Sequence, residues 1–370
     1  NAAGTTAAAM IWRCANPVTD MVYFCFWSEG ILPSRRRVTQ LTLIVGQIGA
    51  APQVADHLRA YVDSPYVDSV VLADADEQAR DRLYARFGII KQVHDDPQAV
   101  LDDPDVSVVD IYTPTAACSS LAVAALEAGK HVICAAPPAR SAAEWERMIA
   151  TANRVDRRLL IAIPECIVPA NQKAEQILAD GELGRVMVAT ALVVSGSSQD
   201  GPAPLVTDSD RLLYGCIAVL ERWLGPTAMV SVTVADDADS DRGSALQTAL
   251  VNLQMTAGAV AQVAVSIGSE EARATAERRI VGTTGQLLIR DDSEDEIPII
   301  GMQGRAFYPI AVHNPPFIMQ YATAQLLSRF IECMVTQSEP PVTLEQAGSA
   351  LATLLAIDES RRSGQSVRLT

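Results

Sequence analysis

From residue 38 onward the chain alternates between two kinds of pattern. The first is a set of apolar runs with little polar interruption: LTLIVGQIG (41–49), VDSVVLADAD (67–76), VSVVDIYTP (106–114), HVICAAP (131–137) and RRLLIAIP (157–164). Strands of a parallel sheet are covered on both faces, so continuous apolar runs are the pattern they require. Between them lie stretches with helical signals. One passes through His57–Ala60, EQARDRLYARFGI (77–89) closes near Gly88, SSLAVAALEAGK (119–130) closes at Gly129, and SAAEWERMIATANRV (141–155) starts on Ser141 as N-cap. The acidic stretch VHDDPQAVLDDPDV (93–106) is left without an element of its own. Strand–helix alternation of this kind predicts a doubly wound parallel sheet.

The second half has a different rhythm. MVATALVVSG (187–196), AMVSVTVADD (228–237), SALQTALVNLQMTAGAVAQVAVSIG (244–268) and RRIVGTTGQLLIR (278–290) are long strand candidates joined by short polar or glycine turns. Helices are expected around 211–224 and 318–335, with a last one from Leu344 to Gly364. The expected fold class is α/β: a Rossmann-like doubly wound sheet, then an α+β domain with a large, mainly antiparallel open sheet. The domains are placed at 38–160 and 161–370, after an N-terminal extension at 1–37. That extension contains MVYFCFW (21–27), a dense aromatic cluster in a chain with 5% aromatics, read as a candidate protein-docking segment.

Composition narrows the classes. The 370 residues carry a net charge of −15 and no Lys/Arg-dense tract, which excludes nucleic acid as an expected partner. No apolar run reaches the length of a membrane span. The SRRR tract at 34–37 ahead of an apolar run is taken as the lead-in to the first strand, not as an export signal. The seven cysteines include no CxxC pair, and with four histidines they offer no zinc pattern. A cytoplasmic location with reduced thiols is expected.

The landmarks VGQIGAAPQV, VVLADADEQA, DDPDVSVVDIYTP, ALEAGKHVICAAP, LADGELGRV, ERWLGP, IVGTTGQLLI and GQSVRL occur in an order and spacing that resembles the Gfo/Idh/MocA dehydrogenases over some 330 residues. The resemblance implies an NAD(P) site and a lysine-assisted hydride transfer, and several positions depart from it. The GxGxxG turn is matched by Gly49, Ala51 and Val54, with Pro52 between them. Asp74 stands at the position of the ribose-binding acid, and Thr113–Pro114 open the TPN-like turn, whose histidine is Cys118 here. Ala136 replaces the lysine of the Glu-Lys-Pro triplet, and Leu213 and Ile217 replace the aspartate and histidine of DxGxH. Gly49, Ala51, Asp74, Thr113 and Pro114 are thus expected to form a weak or vestigial cofactor site, with no catalytic set.

The primary expectation is a member that has lost dehydrogenase chemistry and serves as a binding, regulatory or assembly subunit. The alternatives are an NAD(P)-dependent oxidoreductase of a sugar or polyol with an atypical site, and a dinucleotide or small-molecule sensor. Cys118, Cys134, Cys166 and Cys216 are read as small buried hydrophobes, and Asp208, Asp210 and Tyr214 as a solvated loop. The resemblance also implies a homo-oligomer, or a hetero-oligomer with a related subunit, formed through the second-domain sheet.

Overall fold

The computed structural model describes residues 42–195, 208–234, 248–267, 275–290, 299–304, 306–312, 315 and 317–369. The aromatic cluster at 21–27 lies outside the described residues. Six strands form the first sheet: β1 Leu43–Ile48, β2 Val67–Ala73, β3 Ile90–His94, β4 Val106–Ile111, β5 His131–Ala135 and β6 Leu159–Ala162. Every pairing among them is parallel, in the order β3-β2-β1-β4-β5-β6. The crossovers are α1 Val54–Asp63, α2 Glu77–Arg86, α3 Pro97–Asp102, α4 Thr115–Glu127 and α5 Ala142–Val155.

Two local outcomes differ from the sequence expectation. The acidic stretch after 90 supplies both β3 and α3, because Asp96 caps α3 by accepting from Gln98 N–H and Pro97 occupies its first position. Helix α2 ends at Arg86, before Gly88, with Phe87 already extended. Glycine-ended helices are common but not obligatory, and here the buried Phe87 turns the chain toward β3.

A tight turn at Pro164–Ile167 leads into α6 Pro169–Ala179 and the second sheet. Its strands are β7 Val186–Ser195, β8 Thr227–Val234, β9 Thr248–Met255, β10 Val260–Ile267, β11 Thr275–Gly282, β12 Gln286–Arg290, β13 Ile299–Gln303, β14 Ala306–Ile310 and β15 Val367–Arg368. The order is β14-β13-β12-β11-β7-β10-β9-β8-β15. The sheet is mostly antiparallel, with one parallel pair, β7 on β10, near its centre.

One face of this sheet carries α7 Asp208–Leu224 and α9 Leu344–Ser363. Helix α9 starts on a reciprocal capping box between Thr343 and Gln346. Helix α8 Ile318–Thr336 packs against α1 and so ties the second half of the chain to the first sheet. The opposite sheet face leaves Val188, Leu192, Leu250 and Val260 each at least 40% exposed. Leu192 and Leu250 both stand in register with Ala264, so they share one face across three strands. Among the described residues, no helix is long and apolar enough to cross a membrane, and no group of His, Cys, Asp and Glu could hold a metal.

Candidate functional site

The winding of the first sheet reverses between β1 and β4, and open α/β sheets bind ligands beyond the carboxyl ends of strands at such a point. The turn after β1 is built around Gly49, whose φ of 102° favours glycine. A Cβ at 49 would also lie 2.0 Å from the Tyr112 carbonyl oxygen. Gly49 N–H donates to Ala73 O at 2.8 Å, and Ala50 N–H donates to Asp74 Oδ2 at 2.6 Å.

Asp74 therefore anchors the turn from the end of β2, and its Oδ1 accepts from Asp76 N–H. It does not cap α2; Asp76 does, by accepting from Ala79 N–H. Val54, Ala55 and Asp56 donate back to Ala51, Pro52 and Gln53 carbonyls, which closes the first turn of α1. Val54 is fully buried in the core as the first residue of α1. Ala51 is half-buried, and Pro52 and Gln53 are exposed.

Behind this turn lies a polar cluster that the sequence did not single out. Asp110, within β4, is fully buried. Its Oδ2 lies 2.6 Å from His57 Nδ1 and accepts from the Tyr61 hydroxyl at 2.7 Å. His57 and Tyr61 are four residues apart on α1 and share its buried face. Gln47 Nε2 donates to Asp110 O at 3.3 Å. Burial, followed by the Asp110 charge, holds the Tyr61 hydroxyl well above the ordinary phenol range. The legible signal was Asp110 itself: a carboxylate inside an apolar strand needs a buried donor.

Tyr112, just past β4, meets the edge of the His57 ring at a centroid distance of 5.2 Å and an angle of 89°. From α7, Arg211 lays its guanidinium over the Tyr112 ring, 4.4 Å from its centroid, and donates to the Tyr112 hydroxyl. Burial pushes the Arg211 guanidinium down to about 10, which leaves it a cation near neutral pH. Thr113 Oγ1 is buried without a hydrogen-bond partner, and Thr115 donates to Pro137 O at 3.2 Å. Pro114 is exposed and immediately precedes α4.

The residues that the sequence resemblance sets at the family's catalytic positions are part of the apolar core. Ala136 is 7% exposed, Leu213 3% and Ile217 0%. Cys118, Cys134, Cys166 and Cys216 are buried free thiols. Burial pushes Cys166 up to about 12; a hydrogen bond with Cys118 and burial raise Cys134. Neither is a reactive thiolate.

The expected solvated loop around Asp208, Asp210 and Tyr214 is instead the start of α7. Tyr214 is fully buried and donates to Ala347 O at 2.7 Å, because the helix turns it toward α9. One further acid emerges. Glu165, in the turn after β6, sets its carboxyl group against Gly215 of α7, where a Cβ would lie 2.4 Å from the carboxyl carbon. Asn171 Nδ2 steadies that turn by donating to Glu165 O at 2.8 Å.

Residues 42–163 match the family model for the NAD-binding Rossmann fold of the oxidoreductase family, and residues 212–369 match the C-terminal alpha/beta domain of the same family. The chain belongs to the Gfo/Idh/MocA oxidoreductase family. Among its relatives, levoglucosan dehydrogenase of Pseudarthrobacter phenanthrenivorans is 27% identical over 297 residues, which is 70% of this chain and 76% of that protein. Inositol 2-dehydrogenase 1 of Saccharopolyspora erythraea is 26% identical over 314 residues, 84% of this chain and 88% of that protein. The structure of a levoglucosan dehydrogenase in complex with NADH superposes with a TM-score of 0.76 at 20% identity, covering 89% of this chain and 99% of that one. An oxidoreductase from Agrobacterium radiobacter, in complex with NAD+, L-tartaric acid and magnesium, gives a TM-score of 0.76 at 18% identity, covering 88% and 98%.

Proposed function

We propose that this Gfo/Idh/MocA family member is a dinucleotide-dependent oxidoreductase of a sugar or polyol, with proton chemistry resting on groups other than the family's lysine and Asp–His pair. The observation that carries the proposal is the turn after β1. Gly49 keeps its left-handed conformation, and Asp74 ties the turn through Ala50 N–H. On this reading these residues would hold a dinucleotide. Asp74 would accept from a ribose hydroxyl, and the turn formed by Gly49 and Ala51 ahead of α1 would meet the pyrophosphate, with Thr113 Oγ1 as a buried atom still lacking a partner. The cofactor supplies the hydride acceptor; the chain supplies orientation and proton transfer. The names of the relatives support this alternative over the loss of chemistry expected first, since those relatives are called dehydrogenases of sugars and inositols.

One observation favours the second reading, a non-catalytic binding or assembly subunit. Ala136, Leu213 and Ile217 bring no titratable group to the wall they form, and general acid–base catalysis is worth ~10²–10⁴ in rate. Under either reading the exposed row of Val188, Leu192, Leu250 and Val260 supports a homo-oligomer, or a pairing with a related subunit.

Titrating the purified chain with NADH and NADPH, then assaying NAD(P) reduction with levoglucosan, myo-inositol and glucose, tests the proposal. Turnover above background supports it. Tight binding without turnover favours a sensor, and no dinucleotide binding favours the assembly subunit.

A further inference from the structure

Among the described residues, the cation at this site is paired with no carboxylate. The Arg211 guanidinium has a phenol and an aromatic face as its described partners. Other arginines of this structure meet carboxylates, as Arg140 meets Glu144 and Arg222 meets Glu175. Drawing a guanidinium out of water without an opposite charge is costly, and the cost is recovered when a ligand brings the charge. The stacked Tyr112 ring holds the planar group in place, and its fork retains donors beyond the one spent on the hydroxyl.

Position adds to this. Tyr112 follows β4 at the winding reversal, and its carbonyl sits against Gly49 of the nucleotide turn. Arg211 comes from the other half of the molecule, two residues before Leu213. The contact thus joins the nucleotide turn to the helix that carries the family's catalytic positions. Gly215 lies four residues further along α7, on the same face, and it is there that the Glu165 carboxyl group rests. The backbone position that carries the guanidinium and the one against which the carboxyl group rests are therefore one turn apart on α7, about 6 Å along its axis at ~1.5 Å of rise per residue.

We infer that Arg211 binds the carboxylate of a polyhydroxy acid, an aldonate or a uronate, while Glu165 accepts from its hydroxyls. The inference rests on the proposal that this crevice takes a sugar or polyol, and it names the class. A single guanidinium matches the planar, singly charged face of a carboxylate through two parallel hydrogen bonds. A phosphate dianion would meet the same single cation and lie near the Glu165 charge.

The test uses matched pairs. D-gluconate and D-glucitol differ in one terminal carbon, as do D-glucuronate and D-glucose. Binding of each to the full chain is measured by calorimetry, with and without NADH. The expected result is that each acid binds at least ~10-fold more tightly than its neutral partner, in line with a charge-assisted pair. Arg211→Gln should erase that preference by weakening the acid at least ~10-fold more than D-glucitol, and Arg211→Lys should retain part of it.

Tyr112→Phe keeps the ring and removes the hydroxyl. It should lower the acid preference severalfold while the circular dichroism spectrum stays unchanged, which guards against misfolding of the Arg211 variants. Equal affinity for acid and neutral partner, no binding of either, a preference that survives Arg211→Gln, or tighter binding of glucose 6-phosphate than of gluconate would each overturn the inference. An Arg211-dependent acid preference in a chain that never reduces NAD(P) would leave this inference standing and remove the oxidoreductase proposal.

Discussion

Two walls of the core, one on each side of the first sheet's winding reversal, are held together by different physics. On the β1/β4 side, polar atoms sit in fixed hydrogen bonds: Ala50 to Asp74, and His57 and Tyr61 to Asp110. On the β5/α7 side, Ala136, Leu213, Ile217 and four cysteines make an apolar packing surface. The first wall depends on each partner being present, because an abandoned buried polar group costs far more than a hydrogen bond contributes net. The second accepts changes among apolar groups of similar volume and resists charge.

The most damaging test of this contrast is Gly49→Val. It combines an unfavourable φ with an overlap against the Tyr112 carbonyl, and should cost about 4 kcal/mol in urea unfolding. It should also remove any NADH binding. Next comes Asp110→Ala, which leaves His57 and Tyr61 buried without their shared acceptor. A loss of about 3 kcal/mol is expected, with Asp110→Asn losing less because an acceptor oxygen remains. If Asp110→Ala unfolded at the same urea concentration as the parent, the description of this wall as hydrogen-bonded would be wrong.

Ala136→Lys probes the other wall. A cation placed at a 7% exposed position should cost about 2 kcal/mol and give no turnover by itself. Adding Leu213→Asp and Ile217→His sharpens the comparison. Faster NAD(P) reduction by the triple variant than by the parent would mean that the apolar wall lacks only its proton-transfer groups. The smallest effect on stability, within about 0.5 kcal/mol, is expected for Leu192→Glu with Leu250→Glu on the exposed sheet face. Light scattering should nevertheless show a smaller particle than the parent, and an unchanged particle would remove that face as the assembly surface.

Much of the architecture could be read from local pattern. Continuous apolar runs gave the parallel sheet, and the change of rhythm after residue 161 gave a second, mainly antiparallel one. The exceptions have local reasons. Helix α3 and strand β3 were hidden because Asp96 and Pro97, both turn-forming residues, begin a helix of six residues. The central β7/β10 pair is parallel because β8 and β9 intervene in sequence yet lie on the far side of β10.

The fold class and the family were legible in the amino-acid sequence, as was the glycine that the turn after β1 requires. Each is carried by a short window: a period, a turn residue, or a motif with fixed spacing. The pairings His57–Asp110, 53 residues apart, and Tyr112–Arg211, 99 apart, arise from packing alone. Packing also decided that Tyr214 faces α9 and that Glu165 faces Gly215. Periodicity states which side of an element is buried. Which partner waits there depends on how elements distant in sequence pack, and that is fixed by the shape of the whole core.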